Sequence, residues 1–203
     1  MLKITPGKPH LIYLHGAIVA GTNGRPVSPQ FGPYEFQQIL DRFTSAGFEV
    51  LSEIRPGNDV ARIAARIGGW VRELKAGGIP ANRIALVGAS LGGIAAARIS
   101  HELKDRELSY VLVASLFRVQ GLSPVPLSGR VLSIHDQSDK HEWIDDDYFA
   151  NAPDLAASKV IVTTTGKGHG LLFTPDDAWV LPTLDWLSAT SGAQPASEQL
   201  RGP

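Results

Sequence analysis

The stretch Ala85-Leu86-Val87-Gly88-Ala89-Ser90-Leu91-Gly92-Gly93 joins an apolar run to an alanine-rich segment through one serine held between small residues. That junction restricts the fold more than any other part of the chain. A strand that turns sharply into a helix brings the flanks of the turn together, so the residues two before and two after the apex must be small. Gly88 and Gly92 stand there. The apex residue is forced into a sparsely populated backbone conformation, at a cost of about 1–3 kcal/mol that persists only where the surroundings over-determine it. Strain of this kind presents a hydroxyl at a helix N-terminus, which makes Ser90 a candidate nucleophile. A G-x-S-x-G pattern also arises by chance, and a Gly-Gly pair can simply open a helix packed closely on a sheet. Here the apolar run 84–87 and the breaker-free segment 94–99 supply the strand and the helix that the motif requires.

The rest of the chain repeats the alternation of apolar runs and helix-like segments, which predicts parallel strands joined by crossover helices. Strands are expected at 11–14, 48–54, 84–87, 110–114, 131–134 and 160–163. Helical spacing marks 34–46, where Phe36, Ile39, Leu40 and Phe43 recur and Gly47 stops the pattern, and 60–76, with Ile63, Ile67, Trp70, Val71 and Leu74 behind a cap at Asn58 or Asp59. A last helix is expected near 179–188. The expected architecture is therefore a three-layer, doubly wound α/β domain with a mostly parallel sheet of about six strands, spanning 1–188. The small, polar stretch 189–203 reads as a frayed tail. Sheets of this class bind ligands beyond the carboxyl ends of their strands, where Ser90 sits.

The composition, 43% hydrophobic and 19% charged with a net charge of −1, is that of an ordinary globular domain without a basic footprint for nucleic acid or an anionic membrane. The absence of cysteine removes disulfides, thiolate metal sites and thiol nucleophiles. The start, Met1 to Pro6, lacks the apolar core of a signal peptide, and no segment is apolar for long enough to cross a membrane, so a cytoplasmic location is the expectation.

A serine hydroxyl needs a general base and a group that orients the base. Of the six histidines, His169 in Gly166-Lys167-Gly168-His169-Gly170 follows the last strand at the same carboxyl edge and is the candidate base. His135 and His141 read as loop residues. His15 ends the first strand and belongs to another role. For the acid, the segment His135-Asp136-Gln137-Ser138-Asp139 offers two aspartates. Asp139 is favoured over Asp136, because reaching the histidine loop takes several residues of turn beyond the strand, with Asp145 and Glu142 as remaining candidates. The cluster 145–147 reads as a helix start, where carboxylates suit the macrodipole. No metal or cofactor is expected: His141-Glu142 lacks the second histidine of H-E-x-x-H, and no calcium loop or phosphate loop has its required spacing. Two backbone N–H groups should hold the oxyanion, Leu91 after the serine and Ala17 beyond the close-approach glycine Gly16.

Taken together, "LIYLHG", "GASLGG", "SIHDQSD" and "GHG" resemble the α/β-hydrolase family across nearly the whole chain. The resemblance implies Ser90 as nucleophile, Asp139 as acid, His169 as base and Ala17 with Leu91 as oxyanion donors, supported by His15, Gly16, Gly88 and Gly92. Asp136 stands where the family commonly has glycine. The resemblance also implies a minimal member without a cap domain, since about sixteen residues separate Ala114 from Val131, and an exposed sheet edge that a second copy could pair with. The implied activity is hydrolysis of a carboxylic ester or thioester of a small acyl substrate. An amidase or acyltransferase on the same residues, or a non-catalytic binding protein, are the alternatives. The loop 16–33 is the one obvious cover for the site, as a semi-ordered flap, and its Arg25 reads more readily as a surface residue than as a carboxylate partner.

Overall fold

The strands alternate their apolar residues between two faces, and each face is covered by helices. The computed structural model describes residues 2–115, 125–140, 143–144 and 146–191. Strand β1 (His10–Leu14) is followed by a two-residue ladder of β2 (Val27–Ser28) and β3 (Gly32–Pro33), helix α1 (Phe36–Ser45) and strand β4 (Glu49–Leu51). Then come α2 (Val60–Ala76), β5 (Ile84–Ala89), α3 (Leu91–Leu103), β6 (Ser109–Val113), β7 (Ser128–Asp136), α4 (Asp146–Ala150), β8 (Asp154–Thr163) and α5 (Asp177–Ser191). The main sheet has the order β4-β1-β5-β6-β7-β8 with every neighbouring pair parallel.

In β1 and β5, Leu11, Tyr13, Ala85 and Val87 face α1 and α5, whose Phe36, Ile39, Phe43, Trp179, Val180 and Leu184 complete one core layer. Ile12, Leu14, Ile84 and Leu86 face α2 and α3, where Ile63, Ile67, Val71, Leu74, Ala95 and Ile99 form the other. This is the three-layer arrangement expected from the period-2 and period-3.6 patterns. Asp59 is the cap of α2, accepting from the Arg62 N–H at 3.0 Å. Gly47 ends the α1 turn at φ 93°, a conformation that favours glycine. Among the described residues, no helix is long and apolar enough to cross a membrane.

The differences from the expected elements lie at the sheet edges. The strand expected over 48–54 pairs only at 49–51, because the chain leaves the ladder at Ser52, whose hydroxyl donates to the Tyr13 carbonyl at 2.8 Å. Strands β7 and β8 are longer than expected, at 9 and 10 residues. Leu155 aside, their extra residues are small or polar, and pairing with each other rather than apolar periodicity extends them. Helix α5 runs from Asp177 to Ser191, beyond the end expected at 188. The expected tail from 192 onward lies outside the described residues.

Candidate active site

Ser90 caps the N-terminus of α3 with φ 51° and ψ −118°, the strained conformation a strand-to-helix apex demands. The glycines around it answer to close backbone contacts. A Cβ on Gly88 would stand 2.4 Å from the Gly92 carbonyl oxygen, and one on Gly92 would stand 2.0 Å from that of Leu14. Gly93 is held as tightly, against the Ser115 hydroxyl. The turn therefore nests β5 against β1 and α3 with no room for side chains.

His169 lies in a short 3-10 turn, Gly168–Phe173, at the carboxyl edge of β8. Its Nε2 is 3.0 Å from the Ser90 Oγ, and its Nδ1 is 2.9 Å from Asp139 Oδ2. The Asp139 side chain is 3% exposed and that of His169 22%. Serine, histidine and aspartate thus form one continuous hydrogen-bonded chain, in the order expected. Gly170 gives room for Phe31, whose ring a Cβ there would meet at 2.8 Å. The His169 ring lies between Phe31, at 6.3 Å, and Trp143, at 6.4 Å.

Asp136 is not bonded to His169. It is fully buried and accepts six hydrogen bonds, from the Ser138 amide and hydroxyl, the Thr163 hydroxyl, the Thr165 amide and hydroxyl, and the Gly168 amide. Burial works to raise its pKa, but the donors from Ser138, Thr165 and Thr163 outweigh burial and hold the carboxyl well below the usual range. It ties the loop that carries Asp139 to the loop that carries His169. His135, expected as a loop residue, is the buried penultimate residue of β7, with its ring stacked on Trp143 at 5.2 Å. His141, Glu142 and Asp145 lie outside the described residues. Helix α4 starts on Asp146 and Asp147, as the acidic cluster suggested. Among the described residues, no group of three or more His, Cys, Asp or Glu is placed to hold a metal ion.

The two expected oxyanion donors flank the serine. Leu91 is the first residue of α3, where an N–H has no intrahelical acceptor. Ala17 opens a 3-10 turn after Gly16, and the Cβ position of Gly16 is 3.7 Å from the Ser90 Cβ. The flap expected over 16–33 is instead built into the domain: Val19 is a core residue, Phe31 packs on Phe173 at 5.1 Å, and the Gly21 amide donates to the Arg55 carbonyl at 2.8 Å. Arg25 is exposed, in keeping with a surface residue.

Arg55, which no sequence pattern singled out, is 3% exposed and contacts the loop that follows β1. Its backbone N–H donates to His15 Nε2 at 3.1 Å, and its Nη2 donates to the His15 carbonyl at 2.7 Å. Since Nε2 accepts, the neutral His15 ring carries its proton on Nδ1 and donates it to the Gly16 carbonyl, 2.8 Å away. Burial, then the Arg55 charge, pulls His15 down to about 4, so the ring is neutral at neutral pH.

No protein-family model and no curated protein matches the sequence. Solved structures do match the fold. The chain superposes on MGS-M1, an α/β hydrolase from a Medee basin deep-sea metagenome library, with a TM-score of 0.63 and 16% identity, covering 94% of this chain and 90% of that one. SOBER1 of Arabidopsis thaliana matches with a TM-score of 0.63 and 10% identity, covering 89% and 98% of the two chains. A structure of the metagenome-derived lipolytic enzymes LipS and LipT matches with a TM-score of 0.55 and 13% identity, covering 92% and 100%. At these identities the likeness is one of fold.

Proposed function

We propose that this chain, which has the α/β-hydrolase fold, is a serine hydrolase that cleaves a carboxylic ester or thioester of a small substrate through an acyl-enzyme. The observation that carries the reading is the unbroken chain Ser90 Oγ, His169, Asp139, with links of 3.0 and 2.9 Å, at a strained strand-to-helix apex. Ser90 Oγ attacks the carbonyl carbon while its proton passes to His169 Nε2. Asp139 accepts the Nδ1 proton's hydrogen bond and favours the imidazolium that forms. The Ala17 and Leu91 N–H groups receive the oxyanion. Collapse of the tetrahedral intermediate breaks the bond to the leaving alcohol or thiol, which takes the proton from Nε2. Water then repeats the sequence on the acyl-enzyme, giving up a proton to His169, and Ser90 recovers its own when the acid is released. The solved relatives described as hydrolases and lipolytic enzymes share the fold and so support this class of chemistry.

The test is labelling by a fluorophosphonate, read by intact mass. One adduct is expected on the wild-type chain and none on Ser90→Ala, with kcat lowered by up to about 10⁶-fold in the variant. Equal labelling of both would move the nucleophile elsewhere.

A further inference from the structure

Among the described residues, Arg55 is a buried cation that the chemistry above leaves unused. Its Nε and Nη1 have no hydrogen-bond partner. The neighbouring acid, Glu53, is engaged by Arg66 through contacts of 2.6, 2.9 and 2.6 Å. The other groups facing Arg55 are His15, which is neutral, and Tyr13 and Tyr34, whose hydroxyls bond to each other at 2.6 Å. A buried cation with no carboxylate in hydrogen-bond contact is a costly group for a fold to contain. A clamp on the backbone alone would need only a neutral donor.

The clamp closes on one segment. Arg55 holds the His15 carbonyl and, through its own N–H, the His15 ring, which in turn holds the Gly16 carbonyl. On the far side Asn58 Nδ2 donates to the Ala17 carbonyl at 3.3 Å. The peptide that carries the Ala17 N–H is thus held through His15, which Arg55 fixes, and the next peptide is held by Asn58. We propose that Arg55 is a positioning residue for the oxyanion loop: through His15 it presets the Ala17 N–H, and its buried charge favours the negative charge that develops there. This rests on the acyl-transfer reading. The ground-state carbonyl is neutral and the oxyanion is not, so the effect belongs to kcat rather than to KM.

The experiment compares wild type with Arg55→Met, which keeps the apolar stem and loses the charge, and Arg55→Lys, which keeps the charge. End-point fluorophosphonate labelling counts active sites, and phenyl acetate hydrolysis is expressed per labelled site. Per-site kcat should fall about 100-fold in Arg55→Met with KM changed less than about threefold, and Arg55→Lys should recover at least about tenfold of that loss. A purely structural Arg55 would lower the labelled fraction and Tm and leave per-site kcat alone, and that result overturns the proposal. If Arg55→Met does not fold, the pH profile of Arg55→Lys decides. Burial lowers Arg55 itself to about 10, and a buried lysine loses its proton more readily still, so kcat should fall at a lower pH in that variant than in wild type. Among the facing groups, burial raises Tyr13 and pushes Tyr34 up to about 12, His15 stays neutral, and Glu53 is held by Arg66. Matching profiles together with unchanged kcat overturn the proposal. A wild-type chain that takes no label removes the acyl-transfer reading itself, and this proposal with it.

Discussion

Replacing Asp136 with asparagine should destabilise the protein far more than it damages the chemistry. Asp136 Oδ1 accepts from the Ser138 amide at 3.0 Å, the Ser138 hydroxyl at 2.5 Å and the Gly168 amide at 3.3 Å. Oδ2 accepts from the Thr163 hydroxyl at 2.9 Å and from the Thr165 amide and hydroxyl at 2.8 and 2.7 Å. Asparagine keeps one acceptor oxygen, and placing it at the Oδ1 position preserves both backbone donors there. Its NH2 then occupies the Oδ2 position, where the two threonine hydroxyls can rotate to accept but the Thr165 N–H cannot. One orphaned buried amide costs about 1–3 kcal/mol, and the remaining bonds lose their charge assistance, for a total of roughly 2–4 kcal/mol. In urea that is a midpoint shift of about 1–2 M.

The same substitution carries a pH signature. The native pKa of Asp136 is depressed, so its stabilisation is full above the unfolded carboxylate pKa of about 3.9 and is lost as the pH falls toward the native value. The gap between wild type and Asp136→Asn should therefore be widest near pH 7 and shrink toward pH 3. A gap below about 0.5 kcal/mol at pH 7 would refute the bond-by-bond reasoning, as would one that stays constant with pH. So would a stable variant whose per-site kcat drops about 10⁴-fold, which would make Asp136 the orienting acid.

Asp139→Asn should instead lose on the order of 10⁴ in kcat with little change in urea midpoint, because it leaves His169 in the wrong tautomer; per-site kinetics against the denaturation curve separate the two aspartates. His15 is held near 4 by burial and by Arg55, below the ordinary 6.5, so the unfolded chain takes up a proton that the native one refuses. Stability should therefore fall by roughly 3 kcal/mol as pH drops from about 6.5 to about 4, and urea titrations of His15→Gln should lack that part of the slope. A p-nitrophenyl ester series from acetate to palmitate should show no steady gain in kcat/KM with chain length, because a site with the short 114–131 connection expected from the sequence offers little apolar wall at about 0.8 kcal/mol per methylene; a continuous climb would point to a closing cover.

What the chain states locally, it states legibly. The steric rule for a strand-serine-helix turn is a matter of residues within four positions of each other, so Gly88, Ser90 and Gly92 announce the apex without any knowledge of the rest. Apolar periodicity likewise marks α2 to its observed bounds of Val60–Ala76, because a helix is a short-range structure. Loop length was enough to favour Asp139 over Asp136, since one lies at the strand end and the other a turn beyond it. Groups whose role is set by partners far along the chain carry no such mark. Arg55 meets His15 across 40 residues, and Asp136 meets Thr165 across 29. An arginine after an edge strand reads as a surface residue until the loop after β1 is folded against it, and an aspartate reads as an alternative acid until six donors converge on it. The limits of β4, β7 and β8 depend on which neighbour each strand pairs with, and the docking of residues 16–33 depends on the room that Gly170 leaves for Phe31. These are contacts between distant segments, and only the tertiary structure brings them together.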